Sequence, residues 1–206
     1  MSEVNVVWSG SSDERAPLVV LLHGRGSNET QMATVAQCVP AHLAAAALRG
    51  PVSLAPGQFT WFENRGIGRP VPESLRASLT WFGQWLAAVA PTRRVGLVGF
   101  SGGCAFAAGA VLDEPARYAG AALLYGTVPF DAGVPTTSDR LVGVRILHAQ
   151  GRDDPVMPAD LIRRTWEYVT TSSGAQLESY VTSGGHVIAP EVLIALSAWL
   201  ESIFEE

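Results

Sequence analysis

Apolar residues in this chain come in short dense runs separated by glycine- and proline-rich turns. Pro17-Leu18-Val19-Val20-Leu21-Leu22 is apolar throughout and stops at His23-Gly24. An uninterrupted run of that length, bounded by turn residues, suits a strand covered on both faces. Val95–Phe100 has the same character, and Ala119–Tyr125, Leu141–His148 and Gln176–Val181 read as further strands. Val4–Trp8 alternates weakly and reads as an edge strand. Elsewhere the period is helical. Pro72–Val89 sets Leu75, Leu79, Phe82 and Leu86 on one side, with Pro72 at its start and Pro91 beyond its end. Gly102–Leu112 reads as an alanine-rich helix, Pro158–Thr171 as another and Pro190–Phe204 as an amphipathic one, while Ser27–Leu43 reads as a loop plus a helix. Ala45–Arg49 is ambiguous, because alanine favours helix, and reads as a short strand only from its place in the order. Residues 50–72, rich in Gly, Pro and aromatics, read as a long loop.

Strands alternating with helices from residue 18 onward predict an α/β architecture: a mostly parallel twisted sheet of about seven strands with helices on both faces. No shift in composition marks a boundary, so residues 1–206 are expected to form one domain. Composition adds exclusions. Hydrophobic residues make up 48% and charged residues 16%, which argues against disorder and coiled coil. A formal net charge of -5 argues against a nucleic-acid partner. All 14 basic residues are arginine, so Schiff-base and P-loop chemistry is excluded. Cys38 and Cys104 are too few for a disulfide framework or a cysteine metal site, and no metal is expected. Met1–Asn5 has neither the basic nor the apolar part of a secretory leader, and no run is long enough to span a membrane, so a cytoplasmic location is expected. Glu201, Glu205 and Glu206 read as a solvated helix end.

The sharpest chemical signal is Gly99-Phe100-Ser101-Gly102-Gly103, a G-x-S-x-G at the junction of a buried strand and a helix. On a tight strand-to-helix turn the serine is held in a strained conformation, and the flanking glycines leave room where a Cβ would collide. Such a serine needs a base, and the base needs an orienting carboxylate. His186, in the loop Ser183-Gly184-Gly185-His186 after a strand, is the candidate base. His42 and His148 read as structural, and His23 belongs to another motif. The acid lies in Gly151-Arg152-Asp153-Asp154-Pro155, where Asp153 and Asp154 compete on local grounds. Leu22-His23-Gly24-Arg25-Gly26 puts a glycine-rich turn after the first buried strand. With the amide of Gly102, the N–H of Arg25 is the candidate oxyanion donor. Cys104 reads as buried packing.

Together these stretches resemble the α/β-hydrolase superfamily, and within it the small phospholipase/carboxylesterase group that includes the acyl-protein thioesterases. The resemblance runs in order through Leu21–Gly26, Leu48-Arg49-Gly50-Pro51, Trp61-Phe62, Gly99–Gly103, His148–Pro158 and Gly185-His186. It implies an α/β-hydrolase fold and a cofactor-free serine esterase, and 206 residues leave so little spare length that no lid domain is expected. It also implies that Asp154, just before Pro155, is the triad carboxylate with Ser101 and His186. Residues 49–69 look more like a bacterial esterase branch than an acyl-protein thioesterase. The expected reaction is cleavage of a short-chain or small carboxylic ester through an acyl-enzyme. Thioester or lysophospholipid cleavage and a non-catalytic binding protein are the alternatives. Dehalogenase-like and dienelactone-hydrolase-like enzymes need Asp or Cys where this chain has Ser101. Trp61, Phe62, Pro129 and Phe130 are expected to line the pocket, in an open, shallow site. The expected partner is a small-molecule ester or thioester, and a homodimer through exposed surface is compatible with the family.

Overall fold

The computed structural model describes residues 4–205. Met1–Glu3, which enter the leader reading, and Glu206 of the acidic end lie outside the described residues. The first half of the chain gives β1 (Val6–Gly10), β2 (Leu18–Leu22), a 3-10 turn (Glu29–Met32), α1 (Ala33–Ala36) and β3 (Ala44–Leu48). Four short strands follow, β4 (Val52–Ala55), β5 (Gln58–Thr60), β6 (Asn64–Gly66) and β7 (Arg69–Pro70), then α2 (Pro72–Val89). The second half gives β8 (Val95–Phe100), α3 (Gly102–Asp113), β9 (Gly120–Leu124), β10 (Arg145–Gly151), α4 (Ala159–Glu167), β11 (Gln176–Thr182) and α5 (Pro190–Phe204).

Seven strands form one sheet in the order β1-β3-β2-β8-β9-β10-β11. β1 runs antiparallel at one edge, and the other neighbours are parallel. The inner strands explain their own apolar runs. Leu18, Val20 and Leu22 of β2 join the core that holds Leu75 and Phe82 of α2 and Phe106 of α3. Val19 and Leu21 point the other way, into the core built with Val35 of α1 and Leu196 and Trp199 of α5. Side chains alternate along a strand, so a strand buried on both faces must be apolar throughout. Among the described residues no helix is long and apolar enough to cross a membrane.

Three regions differ from the sequence reading. Residues 50–72 are two small antiparallel hairpins, β4–β5 and β6–β7, rather than a long loop. The segment after β2 holds only a 3-10 turn and one turn of α-helix, which pack across the sheet end. The strand expected over Leu141–His148 starts at Arg145, because Gly143 has a φ of 82° and turns the chain just before it. Ala44–Leu48 is a strand despite its alanines. Pairing with both β1 and β2 overrides the helical preference of the residue type.

The 3-10 turn after β2 is tied to the end of β3 by an ion pair. Arg49 Nε donates to Glu29 Oε2 at 2.8 Å and Nη2 donates to Oε1 at 2.5 Å. The guanidinium also lies over the Phe59 ring at 4.6 Å. The hydrogen bonds from Arg49 hold the Glu29 carboxyl below its ordinary range. Arg49→Met removes the partner and leaves a buried carboxylate, so a loss of about 2–4 kcal/mol is expected in urea melts at neutral pH. A group whose folded pKa is depressed adds stability above its unfolded pKa and loses it as pH falls through the folded value. The gap between wild type and Arg49→Met should therefore narrow once pH drops below about 4.

Candidate active site

β8 ends in a turn that only glycine can make on both sides of Ser101. A Cβ on Gly99 would run into the carbonyl of Gly103, and one on Gly103 would run into the carbonyl of Leu22. Between them Ser101 sits at φ 56° and ψ -114°, a conformation costly for any residue with a side chain. Its N–H donates to the Leu124 carbonyl at 2.9 Å, which ties the turn to β9. α3 starts at the next residue, so its N-terminal amides face the space beside Ser101 Oγ.

His186 reaches that oxygen from the loop after β11, the edge strand. Its Nε2 lies 2.8 Å from Ser101 Oγ, and its Nδ1 lies 2.8 Å from Asp154 Oδ2. The second carboxylate oxygen, Asp154 Oδ1, accepts from the amides of Val156 at 2.8 Å and Met157 at 3.0 Å. Burial acts to raise the Asp154 pKa. The hydrogen bonds from His186 and from the two amides outweigh it and leave the carboxyl below its ordinary range. Asp153 is exposed and makes no bond to His186, so of the two adjacent aspartates the structure brings only Asp154 to His186. The histidine loop is braced from below. The Tyr125 hydroxyl lies 3.0 Å from Thr182 Oγ1 and accepts from the Ala189 amide at 3.1 Å. Tyr125 is fully buried with a φ of 49°, and its bracing role had no motif to announce it.

Arg25 and Gly102 lie side by side. A Cβ on Gly102 would stand 3.1 Å from the Arg25 amide nitrogen, so the two backbones are nearly in contact. The neighbouring amides are engaged: Gly26 donates to Phe59 at 2.8 Å and Ser27 to Gly24 at 3.2 Å. Among the described residues the Arg25 amide has no such partner, which leaves it free to donate into the site. His23 holds this loop. Its Nδ1–H donates to the Gly24 carbonyl at 2.7 Å, and its Nε2 accepts from the Gly50 amide at 3.0 Å. Burial lowers its pKa, so the ring stays neutral in the tautomer those two bonds need.

The site opens into a cavity of about 640 Å³. Ser101, His186, Arg25, Gly102 and Phe62 line it. Trp61 does not. It is fully buried under the loop, where its Nε1–H donates to the His23 carbonyl at 2.7 Å and its ring stacks on Phe106 at 4.8 Å. Phe130 also lies away from the cavity, against Tyr168 and beneath the Arg164 guanidinium at 4.0 Å. Pro129 packs beside Gly109 of α3. A loop aromatic next to a strand end can serve as a packing anchor as readily as a wall, and Trp61 and Phe130 are anchors. The walls the sequence missed are Met32 and Val35 after β2, and Asn64, Ile67 and Gly68 of the second hairpin. These segments wall the site on the sides that the aromatic residues read from the sequence leave open. Cys104 is buried beside Gly126, and burial pushes its thiol pKa up, which suits packing rather than reactivity.

A family model described as Phospholipase/Carboxylesterase matches residues 3–204. Solved structures share the fold, which is that of the α/β-hydrolases. The Bacillus cereus carboxylesterase superposes with a TM-score of 0.83 at 22% identity, covering 98% of this chain and 96% of that one. A carboxylesterase from Mesorhizobium loti gives 0.78 at 25% identity, covering 90% and 88%. Zea mays acyl-protein thioesterase 2 gives 0.80 at 19% identity, covering 98% and 99%. A comparison with curated protein sequences finds no match.

Proposed function

The chain belongs to the phospholipase/carboxylesterase family, a family of hydrolases, and from that premise we propose that it is a serine carboxylesterase acting through Ser101, His186 and Asp154. The observation that carries the proposal is the unbroken chain of 2.8 Å contacts from Ser101 Oγ through the imidazole to the Asp154 carboxylate. In this reading His186 Nε2 takes the serine proton as Oγ attacks the ester carbonyl, then returns it to the leaving alcohol. Asp154 keeps the Nδ1 proton in place and stabilises the imidazolium. The amides of Arg25 and Gly102 hold the negative charge that develops on the carbonyl oxygen, where one such donor is worth about 3–4 kcal/mol of barrier. Water then attacks the acyl-enzyme by the same route.

Ester and thioester cleavage share this tetrahedral chemistry, so the family relation and the geometry support both. Esters are the first choice because residues 49–69 resemble the bacterial esterase branch. A fluorophosphonate probe is expected to label the protein at Ser101, and labelling should vanish in Ser101→Ala. A matched panel of aryl esters and acyl-thioesters of rising chain length should then show esters with the higher kcat/KM. Absence of labelling, or thioesters preferred at every chain length, would overturn the corresponding half of the reading.

A further inference from the structure

A buried polar atom without a partner is uncommon in a folded protein and calls for an explanation. Among the described residues three side-chain atoms are in that position: Asn64 Oδ1, Arg93 Nη2 and Thr127 Oγ1. Arg93 is otherwise engaged, since its Nε donates to the Ala16 carbonyl at 2.6 Å. Thr127 is fully buried behind Gly68, where a Cβ on that glycine would come within 3.0 Å of the hydroxyl. Asn64 is different, because it stands on the wall of the cavity that holds Ser101 and His186. Its Oδ1 has no hydrogen-bond partner among the described residues.

The fold keeps this position there. Asn64 opens β6 with its Cα opposite Pro70 of β7. Just before it, the Glu63 amide donates to Ser74 Oγ at 2.9 Å, and the Glu63 carbonyl accepts from Val71 at 2.8 Å. On the other arm Arg69 pairs with Asp160 of α4 at 2.7 Å. The hairpin is held to both α2 and α4, so the backbone at Asn64 cannot leave the wall without breaking these links. A plain alkyl group against the carboxamide would leave it unpaired and offer nothing in return. Leucine or methionine would serve such a group better.

We propose that Asn64 is a specificity-determining residue that hydrogen-bonds a hydroxyl carried by the substrate, so that hydroxylated esters are preferred over plain alkyl ones. This rests on the serine-esterase reading above. A hydroxyl fits because it both donates and accepts, and so pairs with whichever end of the carboxamide faces it. Phe62, Ile67 and Met157 in the same lining are apolar and favour an uncharged group beside Asn64, while Arg25 is the cationic side chain of the cavity. The hydroxyl can belong to the acyl part or to the alcohol part of the ester.

The test uses two matched pairs: p-nitrophenyl ω-hydroxyhexanoate against p-nitrophenyl hexanoate, and glycerol monobutanoate against propyl butanoate. In the wild type the hydroxylated member of one pair should have a kcat/KM about tenfold above its partner, the worth of one net hydrogen bond. The pair that responds tells which part of the ester carries the hydroxyl. Asn64→Leu should reverse that preference by losing rate on the hydroxylated ester and gaining it on the plain one. Asn64→Ser, a smaller change to the hairpin, should keep part of the preference and serves where Asn64→Leu fails to fold. Equal rates within both pairs in the wild type, or a preference that survives in Asn64→Leu, would overturn the role of Asn64 and leave the esterase reading standing. If fluorophosphonate does not label Ser101 and no ester is cleaved, the esterase reading falls and this inference falls with it.

Discussion

Ser101→Ala is expected to lower kcat for any ester substrate by about 10⁵–10⁶-fold, while the protein stays folded. The loss comes from removing the one oxygen that both contacts His186 Nε2 and sits beside the Arg25 and Gly102 amides. Some rate above water should remain, since a bound ester would still meet the oxyanion donors. The backbone gives a second readout. At φ 56° and ψ -114° Ser101 carries strain that alanine, which keeps a Cβ, does not relieve. Glycine does, so Ser101→Gly should be more stable than Ser101→Ala by about 1 kcal/mol and equally inactive. Stopped assays at high enzyme concentration and urea melts check the two arms. A Ser101→Ala enzyme within tenfold of wild type would end the serine mechanism. Equal stability of the two variants would mean that the turn stores no strain.

The parts of the fold and site that were legible in the sequence are those where a local rule acts without competition. β2 and β8 could be read because burial on both faces leaves no alternative to an apolar run. Ser101 could be read because the glycines at positions 99 and 103 are each required by a specific backbone collision. His186 followed from its place in a glycine-flanked loop after a strand. The walls were not legible, because they depend on how distant segments pack. Nothing in Trp61 itself says whether its ring faces a cavity or the His23 carbonyl. The two hairpins within residues 50–72 are short, and register irregularities interrupt the alternation by which a strand is recognised. Tyr125 escaped notice because its hydroxyl acts on Thr182 and Ala189, residues more than fifty positions away in sequence.

Asp154→Asn is expected to cost about 10³–10⁴-fold in kcat, and the reason lies in both carboxylate oxygens. Oδ1 already accepts from the amides of Val156 and Met157. An asparagine here must keep its carbonyl oxygen on those two donors, because turning its NH₂ toward them would set donor against donor. That choice leaves the NH₂ facing His186 Nδ1, which must then accept, so the ring proton moves to Nε2. Nε2 is the atom 2.8 Å from Ser101 Oγ, and once protonated it can no longer take the serine proton. The enzyme would be folded, with its histidine in place and in the wrong tautomer. Asp154→Ala makes the contrast, because it also strands two amides and should cost stability as well as rate. Asp153→Asn, at the exposed neighbour, should stay within about twofold of wild type on the same assay, since surface changes of this kind have little effect. A large loss in Asp153→Asn with little change in Asp154→Asn would move the acid role to the other carboxylate. Comparable small losses in both would mean that the 2.8 Å contact between Asp154 and His186 does not orient the base.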